Sequence, residues 1–229
     1  MNNYEKLEGM VAATFTPLDE NGDVNLSVID KYADWIASTP IKGIFVCGTT
    51  GEFSSLTIDE RKLILEKWLV SARKRFKVIA HVGSNCQRSA MELARHAAQV
   101  GADAIASIAP SFFKPGTVDE LVDFFAPICH SAAGLPFYYY NMPSITGVNL
   151  PVDKFLVEGK KKIPNLVGTK FTHNNLMEMG VCIELEQHRF EVLHGYDEIL
   201  ISGLAMGAVA GVGSTYNYIP NVYQAIFDS

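Results

Sequence analysis

An eight-stranded parallel (β/α)₈ barrel is the fold this sequence predicts, and three observations carry that reading. Short apolar runs alternate with amphipathic stretches along all 229 residues. Apolar residues make up 48% of the chain, enough to cover both faces of a parallel sheet. No linker, low-complexity tract or shift of composition divides it, so residues 1–229 read as one barrel domain. An open doubly wound sheet is the alternative, but its glycine-rich dinucleotide turn does not follow the first strand.

The predicted strands fall at residues 10–15, 43–47, 77–82, 104–109, 137–140, 166–171, 190–193 and 208–212. Each is short, continuous and rich in β-formers. After the second, Thr57 supplies an N-cap and Glu60 completes a capping box before Leu63, Ile64 and Trp68. After the third, Met91, Leu93, Ala94 and Ala97 form an apolar helix face that Gly101 ends. Thr117 and Glu120 repeat the capping pattern before Leu121, Phe124 and Phe125. Residues 199–216 open the longest uncharged run. Their four glycines and polar end suit a buried helix followed by a strand, not a membrane span. Residues 221–227 read as part of the last helix, with Val222, Tyr223, Ile226 and Phe227 on or near its apolar face.

Charge argues against a nucleic-acid partner: the net value is −6, and the basic residues are scattered apart from short runs at Arg73–Arg75 and at Lys160, Lys161 and Lys162, the latter read as a solvated turn. The polar residues 1–8 lack the apolar core of a signal peptide. Cys47, Cys86, Cys129 and Cys182 have no paired spacing, so reduced thiols and a cytoplasmic location are expected. The six histidines have no metal spacing, and His81 and His194 read as core residues.

Barrel active sites lie at the C-terminal ends of the strands. Strand two runs into Gly48-Thr49-Thr50-Gly51-Glu52, where backbone N–H groups and two hydroxyls could face one anion; an ordinary βα turn reads equally well. Strand five ends in Tyr138-Tyr139-Tyr140, with Tyr138 and Tyr140 on one face; core aromatics would give the same pattern. Lys170 lies inside the apolar strand six. An ammonium is costly there, and desolvation favours the neutral amine that attacks a ketone. Strand seven leads to Gly195-Tyr196-Asp197-Glu198, either a helix cap or acceptors for a polyhydroxylated ligand. Strand eight ends in Gly211-Val212-Gly213-Ser214-Thr215, where backbone could approach a ligand closely.

Together these motifs resemble the superfamily of dihydrodipicolinate synthases and N-acetylneuraminate lyases, the pyruvate-dependent class I aldolases. The likeness spans about residues 9–218. It implies that Lys170 forms a Schiff base, Tyr140 transfers protons, and Thr49 and Thr50 hold the substrate carboxylate. Thr172, Gly195, Asp197, Glu198 and Ser214 would line the sugar-derived part of the site. No metal or organic cofactor is implied. Synthases of the superfamily place an arginine where Ile145 stands, so the likeness is to the lyase branch, acting on sialic acid and releasing pyruvate. Another pyruvate-dependent aldolase or synthase, or a truncated barrel that only binds ligand, is the alternative. Many relatives carry a tyrosine where Phe112 stands. Relatives also continue into further C-terminal helices and form homotetramers; the expectation is a chain cut short at Ser229, with apolar surface left uncovered.

Overall fold

The computed structural model describes residues 4–132 and 134–229, leaving residues 1–3 of the polar N-terminal stretch outside. Eight parallel strands close on themselves in sequence order, β1 beside both β2 and β8. They are β1 (Gly9–Ala13), β2 (Gly43–Val46), β3 (Lys77–His81), β4 (Ala104–Ile108), β5 (Phe137–Asn141), β6 (Leu166–Phe171), β7 (Glu191–His194) and β8 (Ala210–Gly213). Around them run α1 (Val28–Ala37), α2 (Ile58–Ala72), α3 (Gln87–Val100), α4 (Val118–Ser131), the one-turn α5 (Pro143–Thr146), α6 (Val152–Lys162), α7 (Leu176–Glu184), α8 (Leu200–Ala205) and α9 (Pro220–Phe227). This is a TIM barrel, as the alternation predicts, and the open sheet is excluded.

Strand ends move by one or two residues from the sequence reading. The apolar run at 43–47 overshoots because Cys47 turns into the left-handed region, φ 54°, and leaves the sheet. The Thr57–Glu60 capping box forms in full. At α4, Thr117 accepts from the Glu120 N–H, but the Glu120 carboxylate turns back to the Gly116 N–H, so the box is only half closed. Lys160–Lys162 are not a turn but the last turn of α6, where cations complement the helix dipole. There Lys160 donates to the carbonyls of Pro164 and Leu166.

Alternation along the strands builds two cores. One lies between strands and helices and holds Tyr139, Phe155, Trp68 and Phe171; the other fills the barrel with Val11, Phe45, Ile79, Tyr138, Tyr140 and Leu193. The helix after β7 is only half buried, with Ile201 66% exposed, so the expected buried helix is corrected to an amphipathic one. In α9, Tyr223 packs inward while Val222 faces out.

The N-terminal end of the barrel is plugged by the segment before β1. The Tyr4 and Tyr138 hydroxyls lie 2.5 Å apart, Tyr138 donates to the Glu191 carboxylate at 2.9 Å, and so does the Leu7 N–H. Burial, the dominant cause, raises the Glu191 carboxyl above its ordinary range, against the opposing pull of these hydrogen bonds. The folded protein therefore holds this proton more tightly than the unfolded chain. Its stabilisation is complete below the unfolded value near 4.5 and is lost as pH rises through the folded value. Glu191→Gln should lose this dependence: its urea midpoint relative to the native protein should climb as pH increases above about 4.5. Parallel midpoint curves across that interval would show that Glu191 titrates normally.

Candidate active site

Parallel pairing puts Lys170 of β6 directly opposite Tyr140 of β5, both pointing into the barrel. Lys170 is 4% exposed. Its Nζ lies 4.1 Å from the Tyr140 ring centroid and 4.3 Å from that of Phe45 on β2. Two aromatic faces thus flank the Nζ, and no carboxylate among the described residues forms an ion pair with it.

The Tyr140 hydroxyl reaches the turn after β2. It lies 3.1 Å from Thr49 Oγ1 and donates to the Met142 sulfur at 3.2 Å. Thr50 Oγ1 lies 2.6 Å from Ser214 Oγ, tying the turn after β2 to that after β8. Thr49 is exposed, and Thr50 and Ser214 are half-buried, so the hydroxyls ring the mouth above Lys170.

The residues after β6 and β7 occupy the other side. Thr172 is buried, and its hydroxyl has no hydrogen-bond partner among the described residues. Gly195 packs so closely on that hydroxyl that any side chain would displace it. Gly195 therefore makes room rather than contacts. Asp197 is buried, and its Oδ2 accepts from the Thr215 N–H at 2.7 Å and the Thr215 hydroxyl at 2.5 Å. A side chain at Gly213 would meet Asp197 at 2.6 Å. One Asp197 oxygen is thus committed to holding the β8 turn. Glu198 is exposed beside it.

Ile145, on α5, is 61% exposed and presents no charge. Lys114 does approach this turn, against Gly147, but as a point charge rather than the bidentate fork a second carboxylate prefers. Phe112 is 78% exposed and stacks edge-on with Phe113 on the loop after β4, apart from Lys170. His194 faces outward against Gly203 and Met179, as a core residue should. His81 lies at the mouth's floor, edge-on to Tyr140. Among the described residues, no His, Cys, Asp or Glu group could hold a metal ion, and no helix is long and apolar enough to cross a membrane.

Sequence reasoning missed Phe45 and Met142. Phe45 is the one aromatic in its strand, and only the closed barrel carries it from β2 to the face of Lys170.

A buried lysine at the C-terminal mouth of a β/α barrel, faced by a tyrosine one strand away and by a ring of hydroxyls, defines a lysine-centred barrel enzyme. The dihydrodipicolinate synthetase family profile matches residues 6–229, and the chain belongs to that family. It is 45% identical to the N-acetylneuraminate lyase of Homo sapiens over 218 residues, covering 94% of this chain and 68% of that protein. It is 47% identical to that of Gallus gallus over 222 residues, covering 96% and 72%. Among solved structures, Proteus mirabilis N-acetylneuraminate lyase superposes with a TM-score of 0.94 at 38% identity, covering 96% of this chain and 74% of that one. The Aliivibrio salmonicida sialic acid aldolase gives 0.92 at 39%, covering 98% and 78%.

Proposed function

We propose that the chain is a Schiff-base-forming carbon–carbon lyase that cleaves N-acetylneuraminate to N-acetylmannosamine and pyruvate, in sialic acid breakdown. The observation that carries this reading is the buried Lys170 in register with Tyr140, in a chain 45% identical to the human lyase.

In the proposed reaction, Lys170 Nζ attacks the C2 ketone of the open-chain sugar, and loss of water leaves a protonated imine. That cation accepts the electron pair of the C3–C4 bond as it breaks. Tyr140, its own proton first passed to the hydroxyl that leaves as water in imine formation, takes the C4 hydroxyl proton, directly or along the Tyr140–Thr49 contact, and the aldehyde of N-acetylmannosamine departs. The enamine takes a proton at C3, and water hydrolyses the imine to pyruvate and free Lys170. The Thr49 and Thr50 turn would orient C2 by holding the carboxylate. Thr172 has a buried hydroxyl still in need of a partner, which suits contact with the sugar half. Neither a metal nor an organic cofactor enters this scheme. A cytoplasmic location, expected from the unpaired cysteine spacing, and a homotetramer, implied by the family resemblance, belong to the same reading.

The test is product analysis. Incubated with N-acetylneuraminate, the protein should release pyruvate and N-acetylmannosamine in equal amounts, and should not condense pyruvate with aspartate semialdehyde at a comparable rate. Efficient condensation would place it in the synthase branch.

Asp197→Ala should act in two ways. It strands both Thr215 donors, at a cost of about 1–3 kcal/mol in stability, and it loosens the turn carrying Ser214. Both the thermal midpoint and KM for the sugar should worsen. A raised KM with an unchanged midpoint would assign Asp197 to the substrate alone.

A further inference from the structure

Behind the Thr49–Thr50 turn lies a buried polar chain that the reaction scheme does not use. Cys47, the last residue before the turn, holds a left-handed backbone, φ 54°, which side chains other than glycine rarely adopt. Its carbonyl lies 2.7 Å from His81 Nδ1. A carbonyl has no proton to give, so Nδ1 must be the donor. His81 is itself held in place: Arg61 donates to the His81 carbonyl at 2.7 Å and to the Gly83 carbonyl at 2.9 Å. Phe53, Phe45 and Tyr140 pack around its ring. Burial, then the Arg61 charge, holds the imidazole well below its ordinary value, so it stays neutral with a single ring N–H.

The turn is fixed at a second point by Thr16, which donates to the Gly51 carbonyl at 2.7 Å. Gly51 folds back on Cys47, where a side chain would meet the Cys47 Cα at 3.3 Å. The Thr49 and Thr50 groups are therefore presented from a loop whose entry angle is set at Cys47.

We infer that His81 is a positioning residue: its ring N–H holds the Cys47 peptide in the left-handed conformation and thereby sets the Thr49–Thr50 turn to receive a carboxylate. This rests on the reading of that turn as the carboxylate site. His81 touches no reacting atom, and its loss should be felt by substrates only through their carboxylate.

The experiment compares borohydride trapping of two ketones on Lys170, pyruvate and acetone, which lacks the carboxylate. In the native protein pyruvate should trap at much lower concentration. His81→Phe keeps a ring and removes the donor; it should raise the half-saturating pyruvate concentration about tenfold, as expected for one stranded buried acceptor, and leave acetone unchanged. His81→Asn places an N–H near the Nδ1 position and should recover most of the preference. His81→Gln places it one carbon too far and should not. If His81→Phe does not fold, the Asn and Gln pair decides the matter alone. An unchanged pyruvate-to-acetone ratio, or equal ratios for Asn and Gln, would overturn the inference. Failure of the native protein to trap pyruvate, or to prefer it over acetone, would instead overturn the underlying site reading.

Discussion

Lys170→Met protein is expected to fold, to show no turnover of N-acetylneuraminate, and to gain no mass from borohydride with pyruvate. Methionine occupies similar volume against Phe45 and Tyr140, so packing survives while the nucleophile is lost. The effect is set by mechanism. Without an imine, the C3–C4 bond has no electron sink, and Lys170 is the one buried lysine among the described residues. Peptide mapping of the native protein after trapping checks the assignment directly. Label on any other lysine, or residual turnover in the variant, would move the chemistry away from β6.

Tyr140→Phe is expected to separate two steps that Lys170→Met abolishes together. The ring stays beneath the amine, so imine trapping should persist. The hydroxyl, its link to Thr49 and its contact with Met142 all disappear. Cleavage should fall by about 10²–10⁴-fold, the usual worth of a positioned acid–base group. Stopped-flow measurement of imine formation beside steady-state kcat distinguishes the steps. Near-native kcat would pass the proton role to another group, and equal loss of trapping would place the work of the Tyr140 hydroxyl in imine formation itself.

Much of this site was legible because barrel topology converts sequence order into spatial order. Once residues 137–140 and 166–171 were strands five and six, Tyr140 and Lys170 had to be neighbours at one end. Pairs that depend on side-chain reach were not legible. Asp197 was read as a cap or a sugar ligand, yet one oxygen is taken by Thr215, eighteen residues on, because Gly213 lets the two turns touch. His81 was read as a core histidine, and it is buried, but its partner is a carbonyl whose unusual backbone angle no composition reveals. The Tyr4–Tyr138–Glu191 cluster escaped notice because its members come from the N-terminal segment, β5 and β7. Exposed apolar side chains lie on the outside of α7 to α9, at Met177, Ile201 and Val222, and equally on α1 and α2, at Trp35, Leu63 and Val70, all apart from Lys170.

The plug beneath the barrel also governs traffic. Leu7 is 4% exposed, and Tyr138 and Glu191 fill the floor, so among the described residues the barrel is closed beneath the lysine, which faces the C-terminal mouth. In the proposed reaction the three-carbon fragment is tethered at that depth while the sugar fragment lies toward the exit. The two products then leave in a fixed queue: N-acetylmannosamine departs first, and the hydrolytic water enters by the path it vacates. Pyruvate, last out, should compete with N-acetylneuraminate for the free lysine, whereas N-acetylmannosamine should inhibit by returning to the occupied one.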